Sequence, residues 1–223
     1  AAPPWELIER AYLPALAEMG SEVTGRLERY GFMPAGGGRV AVTVKPGAGQ
    51  AYVKARRTEI RNQRSEAVFA NLDVDIARRE LAVIGKQLTI GEERLLLREV
   101  KSQGPGNALI LTIEHDAGCE VIAEFGMRGR SAEVVARSAA REAKVFLGTD
   151  AVIGRHLADQ LLVPMALCAG GSFTTVKPSR HTVTNAEIIR KFCPGSITIE
   201  RMNDNGSVQL VNVTPIDKQG IST

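Results

Sequence analysis

The stretch "KPSRHTVTN", residues 177–185, sets a histidine where chemistry is easy to imagine. The chain has 3 histidines in 223 residues. His181 is the one placed in a Pro/Ser/Thr/Asn-rich loop, between an extended run, Phe173 to Lys177, and a helical run from Ala186. Backbone rather than core packing would hold it there. Neutral imidazole is a competent nucleophile near pH 7 because its pKa lies near ~6.5. Attack on phosphorus would give a phosphoramidate, a labile carrier of a nucleotidyl group. The plainer alternative is a capping or surface histidine.

A second constellation lies just upstream. Residues 151–163 read as a helix on which His156, Asp159 and Gln160, at i, i+3 and i+4, share one face. Leu157, Leu161 and Pro164 lie around the other side. An imidazole, a carboxylate and an amide on one stripe could stack on a base and hydrogen-bond it; a solvated face would read the same way. "PAGGG", residues 34–38, could cradle an anion through backbone N–H groups, although glycine runs also serve as tight turns. The basic run "KARRTEIRNQR" holds Lys54, Arg56, Arg57, Arg61 and Arg64, a set that could follow a phosphate backbone or form a solvated strand face. His115 has no partner that the sequence names. Glycine-rich phosphate loops, the dinucleotide fingerprint, metal-ligand spacings and the Lys-x-Asp-Gly lysine motif are all missing from the sequence.

The elements that must position these residues read as follows. Pro3 and Pro4 precede a helix whose apolar face is Trp5, Ile8, Tyr12, Leu16 and Met19, kinked at Pro14 and capped by Gly20. A strand near Val23 to Arg29, the loop "YGFMPAGGG" (30–38) and the alternating strand "RVAVTVK" follow, with Val40, Val42 and Val44 on one half-buried face. At the other end, Asn185 is a candidate cap for a helix carrying Ile188, Ile189 and Phe192, stopped by Pro194-Gly195. "SITIERM" and "SVQLVNV" then make a hairpin around Asn205-Gly206. Both ends thus repeat a helix-strand-strand unit. The middle reads as strand, helix 74–88, strand 94–100, the loop "QGPGN", strands 108–115 and 119–125, and helix 132–147, with Asp73 and Ser131 as N-caps. It has enough apolar residues for a small core of its own. The chain therefore divides into a discontinuous core, 1–57 and 151–223, and an inserted small α/β domain, 58–150.

Composition agrees with a globular chain: 44% hydrophobic and 24% charged, with only 4% aromatic, so the core must be Leu, Ile, Val and Ala. No apolar run approaches ~18 residues, which leaves no membrane span. Three widely spaced cysteines, Cys119, Cys168 and Cys193, argue against a disulfide framework and for a reducing cytoplasm. A net charge of +3 permits an anionic partner without demanding one. The opening "AAPPWEL", without Met, reads as a start in mid-fold.

Several of these stretches together resemble the RNA 3′-terminal phosphate cyclases. "GFMPAGGG" (31–38) is similar to that family's glycine signature. "HLADQLLVPMAL" (156–167) with "PSRHTVTN" (178–185) is similar to its C-terminal region, and "QGPGN" (103–107) with "SAEVVA" (131–136) to its insert domain. The resemblance runs from end to end. It implies an α/β (α+β) chain of repeated units in a cyclase/enolpyruvyl-transferase-like fold with a small α/β domain inserted. It implies ATP-dependent conversion of an RNA 3′-terminal phosphate to a 2′,3′-cyclic phosphate. His181 stands at the position of the histidine that takes up AMP. Pro4, Asp159 and Gln160 match positions lining the nucleotide pocket. His156 stands where the family usually has a base-stacking Tyr, and Tyr30 where it has a basic residue. ATP and a divalent metal, Mg or Mn, are implied, with the metal's ligands unknown. The partners implied are ATP and an RNA bearing a 3′-phosphate, with no membrane; the oligomeric state stays open, a homodimer among the options. The family's N-terminal third has no counterpart here, so the resemblance implies a fragment that is inactive alone. The alternative function is a non-catalytic relative that binds RNA or protein in ribosome assembly; the retained His181 favours the enzyme.

Overall fold

In the computed structural model, residues 3–45, 47–192 and 197–215 are described. The fold is mixed α/β, with three sheets and six α-helices among these residues. The predicted helix stop at Pro194-Gly195 lies outside them.

The first helical stretch has three parts: α1 (Trp5–Leu7), a π turn (Ile8–Tyr12) and α2 (Leu13–Glu18). Pro14 enters α2 in its first turn, where its missing N–H costs little, and the π turn just before it absorbs the break. That turn rotates the buried stripe. Leu7, Ala11, Ala15 and Met19 are buried, whereas Trp5, Ile8 and Tyr12 of the expected face sit half-buried at its edge. The chain then forms an antiparallel ribbon of β1 (Glu22–Arg29) and β2 (Arg39–Lys45). Trp5 covers β1 at Gly25, where any Cβ would stand 2.6 Å from the indole. Beyond β1 the cover stops. Val40, Val42 and Val44 do share a face, but they are exposed, Val44 by 65%, against the half-burial expected of them.

The middle sheet follows the sequence reading closely. Its strand order is β5-β4-β6-β7, built from β4 (Ile60–Ala70), β5 (Leu95–Glu99), β6 (Gly106–His115) and β7 (Gly118–Phe125). β4 and β5 are parallel because α3 (Val74–Leu88) crosses between them; β6 returns to pair antiparallel with β4, and β6–β7 is an antiparallel hairpin. Asp73 caps α3 by accepting from Asp75 N at 2.9 Å. One face of the sheet, with Leu109, Leu111 and Ile113, packs on α3 and on α4 (Ala132–Leu147). The other, with Val68, Ala108, Ile110 and Val121, packs on the residues of the first helical stretch, including Leu7 and Ala11. The core of 58–150 is therefore shared with residues outside it.

A buried polar joint crosses that shared face. Arg10 Nη1 reaches Glu66 Oε2 at 2.5 Å and donates to Thr112 Oγ1 at 2.8 Å. Arg98 pairs with Glu6 and, at 3.5 Å, with Glu66; Tyr30 OH donates to Glu6 Oε1 at 2.8 Å. A second joint fixes the ends of the segment. Arg57 N donates to Asp150 O at 2.9 Å, and its guanidinium donates to the carbonyls of Phe146, Thr149 and Ala151, which closes the C-terminal end of α4.

The remaining sheet has the order β3-β8-β10-β9, with β3 (Tyr52–Lys54), β8 (Gly171–Val176), β9 (Ile197–Arg201) and β10 (Val208–Val213). The β9–β10 hairpin turns at Asn205-Gly206 as the sequence implies, with Gly206 at a φ of 64°. Against this sheet pack α5 (Arg155–Leu167) and α6 (Arg180–Phe192), the two helices that carry the candidate site.

Candidate functional site

Both site helices begin elsewhere than the sequence implies. Residues 151–153 are extended rather than helical. Val152 N donates to Thr174 Oγ1 at 3.2 Å and Ile153 N to Thr174 O at 3.0 Å, so this piece joins the edge of β8. Gly154 then caps α5, which runs through Pro164 to Leu167. His156, Asp159 and Gln160 keep their common face, since all three lie inside the helix that forms. Leu157, Ala158, Leu161, Leu162 and Met165 anchor the opposite side in the core.

His181 is not in a loop. It is the second residue of α6, whose cap is Ser179 rather than Asn185: Thr182 N donates to Ser179 Oγ at 3.0 Å. The signal for this was present in the inward-facing spacing of Thr182, Ala186 and Ile189, which starts the helical period one turn earlier than the apolar run that ends it. His181 is exposed, beside the free N–H groups of the first helical turn and the positive end of the helix dipole.

Asn185, read as a cap, has another task. It lies one turn after His181 on the same face of α6, and its Nδ2 donates to Asp159 Oδ1 at 2.7 Å. Gln160 Nε2 donates to Asp159 Oδ2 at 3.5 Å. The carboxylate of Asp159 thus ties the α5 stripe to the His181 face of α6. Asp159, Gln160 and Asn185 are all half-buried, which sets this face apart from a plain solvated one. His156 marks the far end of the stripe. Its ring is half-exposed, and Nε2 lies 3.3 Å from Glu142 Oε1 on α4, a buried oxygen with no other partner. That interaction raises the pKa of His156 above the usual range. It also leaves Nδ1 as the polar atom free to meet a ligand. Nothing in the sequence pattern hints at Glu142, which is one carboxylate among many on a charged helix.

The other candidates fall outside this cluster. Pro4 opens α1, its carbonyl accepting from Leu7 N at 3.1 Å and Ile8 N at 3.3 Å, and no hydrogen bond among the described residues joins it to the stripe. The two glycine loops pack on each other. A Cβ at Gly104 would collide with Ala35, and one at Gly106 with the ring of Phe32. Close approach of "GFMPAGGG" and "QGPGN" therefore accounts for glycines that an anion cradle would also explain. The basic run is largely spent on ion pairs: Lys54 with Glu18 at 2.8 Å, Arg56 with Asp150 at 2.8 Å and Arg64 with Glu114 at 2.6 Å, while Arg57 is buried in the joint. His115 is buried with neither ring nitrogen partnered, and burial pushes its pKa down to about 4, so the ring is neutral. No cluster of three or more His, Cys, Asp and Glu side chains suited to a metal exists among the described residues. The described side chains therefore do not fit the divalent ion that the resemblance implies. No helix of the described residues is long and apolar enough to cross a membrane.

An exposed imidazole at a helix start, tied through Asn185 and Asp159 to a half-buried polar stripe, can meet an anionic group. Comparison with known proteins shows the family. The model of the RNA 3′-terminal phosphate cyclase family matches residues 1–199. A protein named RNA 3′-terminal phosphate cyclase from Ralstonia nicotianae is 41% identical over 94% of this chain, and one of the same name from Koribacter versatilis 38% over the whole of it. A third, from Ectopseudomonas mendocina, is 39% identical over 91%. The chain spans about three fifths of the length of these relatives: 61%, 62% and 60%. With the match extending from the first helix through both site helices, the chain belongs to the RNA 3′-terminal phosphate cyclase family.

Proposed function

We propose that this chain carries the nucleotidyl-transfer site of an ATP-dependent RNA 3′-terminal phosphate cyclase, with His181 as the nucleophile. A ring nitrogen of His181 attacks the α-phosphorus of ATP. A P–N bond forms, the bond from the α-phosphorus to the bridging oxygen breaks, and pyrophosphate leaves. An oxygen of the RNA 3′-phosphate next attacks the same phosphorus; the P–N bond breaks and His181 is restored. The vicinal 2′-hydroxyl then attacks the RNA phosphorus, loses its proton and expels AMP, leaving the 2′,3′-cyclic phosphate.

The observation that carries this reading is the Asn185–Asp159 hydrogen bond at 2.7 Å, which sets the stripe of α5 one helical turn from His181. In that frame, Asp159 and Gln160 supply an acceptor and an amide to the nucleotide. His156 offers a flat ring for the base, with Nδ1 outward. The first turn of α6 adds backbone N–H groups and a positive helix end to the negative charge at the α-phosphorus. Neutralising the leaving pyrophosphate needs further cationic groups or a divalent ion. We assign those to the two fifths of the relatives' length without counterpart here, so this chain alone is expected to be inactive.

The test is α-labelled ATP followed by denaturing electrophoresis, in a chain extended to the length of its relatives. His181→Ala is expected to abolish the covalent label and His115→Ala to leave it. The adduct should be acid-labile and stable to hydroxide, as a phosphoramidate is. Asp159→Ala and Gln160→Ala should each weaken nucleotide use by ~1–3 kcal/mol, the range for removing one partner of a buried polar group. A label that survives in His181→Ala would place the nucleophile elsewhere.

A further inference from the structure

Between α4, β7 and the start of α5 lies a cavity of about 270 Å³. Its charged wall is Glu120 and Glu124 from β7, Arg141 and Glu142 from α4, Arg155 from α5 and Lys177 from the end of β8. The acids are each accounted for. Glu124 Oε2 accepts from Arg130 Nη1 at 2.8 Å. Glu142 faces His156. Glu120 is buried, its Oε2 accepting from Gly154 N at 2.9 Å, and desolvation pushes its carboxyl up to about 8, so it is uncharged at neutral pH. Its Oε1 has no partner, so the protonated group keeps an O–H donor in hand.

The cations stand differently. Arg141, Arg155 and Lys177 enter no ion pair among the described residues; Arg141 only donates to Ser138 Oγ at 3.4 Å. They come from three separate elements, and all three are exposed. A pocket whose acids each face a partner or are buried, and whose three cations are free, suits an anion. Exposed cations on three elements suit an anion that is part of a passing chain better than an enclosed free ion. Position agrees. Lys177 precedes His181 by four residues, a span of at most about 14 Å of extended chain. An anion in the cavity is thus close to the group that would carry AMP.

We propose that this cavity is a phosphodiester site for the RNA strand, held by Arg141, Arg155 and Lys177 a few nucleotides upstream of the reacting 3′ end. This rests on RNA being the substrate, as proposed above, but not on His181 being the nucleophile. The interaction is with backbone phosphate, so it tolerates any sequence and depends on salt.

The experiment is binding of a short 3′-phosphorylated single-stranded RNA to the 223-residue chain, by fluorescence anisotropy across a salt series. The Arg141→Ala/Lys177→Ala double variant should bind more weakly. Its slope of log affinity against log salt should fall by about 0.7 for each phosphate that is no longer neutralised. Arg141→Lys, which keeps the charge, should retain the slope, and His181→Ala should leave it unchanged while abolishing AMP labelling in the extended enzyme. That split separates failure of this site from failure of the nucleophile assignment. An unchanged slope in the double variant overturns the proposal, as does absence of RNA binding at low salt. Competition by inorganic phosphate at the cavity, with RNA affinity untouched by the double variant, would mean a free-anion site and overturn it too.

Discussion

The middle sheet and the β1–β2 ribbon both carry valine-, isoleucine- or leucine-lined faces, and those faces meet opposite fates. Both contain antiparallel pairs, but β2 alternates Val40, Val42 and Val44 with polar or small residues, whereas β6 runs Ala108, Leu109, Ile110 and Leu111 apolar on both faces. In the middle sheet each face finds a cover, α3 and α4 on one side and the first helical stretch on the other. In the ribbon only β1 is half-covered, and the three valines of β2 face outward. β6 needs cover on two faces and has it; β2 offers one apolar face and has none over it. Alternation shows that a face is apolar; it carries no information about which segment will pack on that face.

If the shared face is what binds the middle sheet to the first helix, breaking its polar joint should have the largest effect. Arg10→Ala removes the closest partner of Glu66, whose side chain is only 8% exposed. An uncompensated buried charge costs about 3–5 kcal/mol, with Arg98 near enough to keep the cost at the lower end. On the helix-covered face, Leu109→Ala should cost ~2–5 kcal/mol through the cavity it leaves. Both are read from urea midpoints. A cost under about 1 kcal/mol for Arg10→Ala would mean that the two parts merely touch.

Two buried carboxyls with raised pKa sharpen the comparison, because both lie in the middle segment. Glu80 accepts from Asn107 at 2.6 Å, and burial pushes it up to about 7; Glu120 is pushed up to about 8. Unfolded, each would ionise near ~4.3. Between the unfolded and folded values the native state binds the extra protons, so stability falls as pH rises and levels off above the folded values. His115, pushed down to about 4, works the other way up to about 6.5; above that, Glu80 and the raised His156 add to the fall, so Glu120 is read from the difference between the two proteins between about 6.5 and 8. In that window Glu120→Gln should flatten the pH dependence, removing up to ~1.4 kcal/mol per pH unit while keeping an acceptor for Gly154 N. Identical slopes in the two proteins would show that Glu120 is ionised in the fold.

Much of this was legible in the sequence, for local reasons. The two helices of 58–150 are long and strongly periodic, its strands are apolar runs bounded by turn residues, and they form close to where that pattern puts them. The His156/Asp159/Gln160 stripe survives a shift of its helix start because spacing inside a helix does not depend on where the helix begins. The start itself was not legible. Residues 151–153 are held extended by hydrogen bonds to Thr174, a tertiary effect that local pattern does not contain. The sequence pattern puts His181 in a loop because polar Thr182 and Asn185 hide the helical period from a reading based on apolar residues. The basic run draws attention by being contiguous, yet its charges are mostly paired. The unpaired cations of the cavity are scattered over Arg141, Arg155 and Lys177, and only the fold brings them together.

The smallest effect tests the ribbon. Val42 sits opposite Gly25 in the β1–β2 register and is 57% exposed. Its neighbours on the same face are Val40 and Val44, also exposed, so its side chain buries little area in this chain. Val42→Thr keeps the β-branched shape and the strand preference of the site. The hydroxyl it introduces meets water rather than core. The expected change in stability of this 223-residue chain is therefore within about 0.5 kcal/mol, far below the cost of Leu109→Ala on a face of similar composition. The contrast should disappear in a chain extended to the length of its relatives if the added residues pack on the ribbon, because the same hydroxyl would then be buried without a partner, at about 1–3 kcal/mol. A large loss of stability already in the short chain would show that the valine face is covered there, and that the difference between the two β regions is not one of cover.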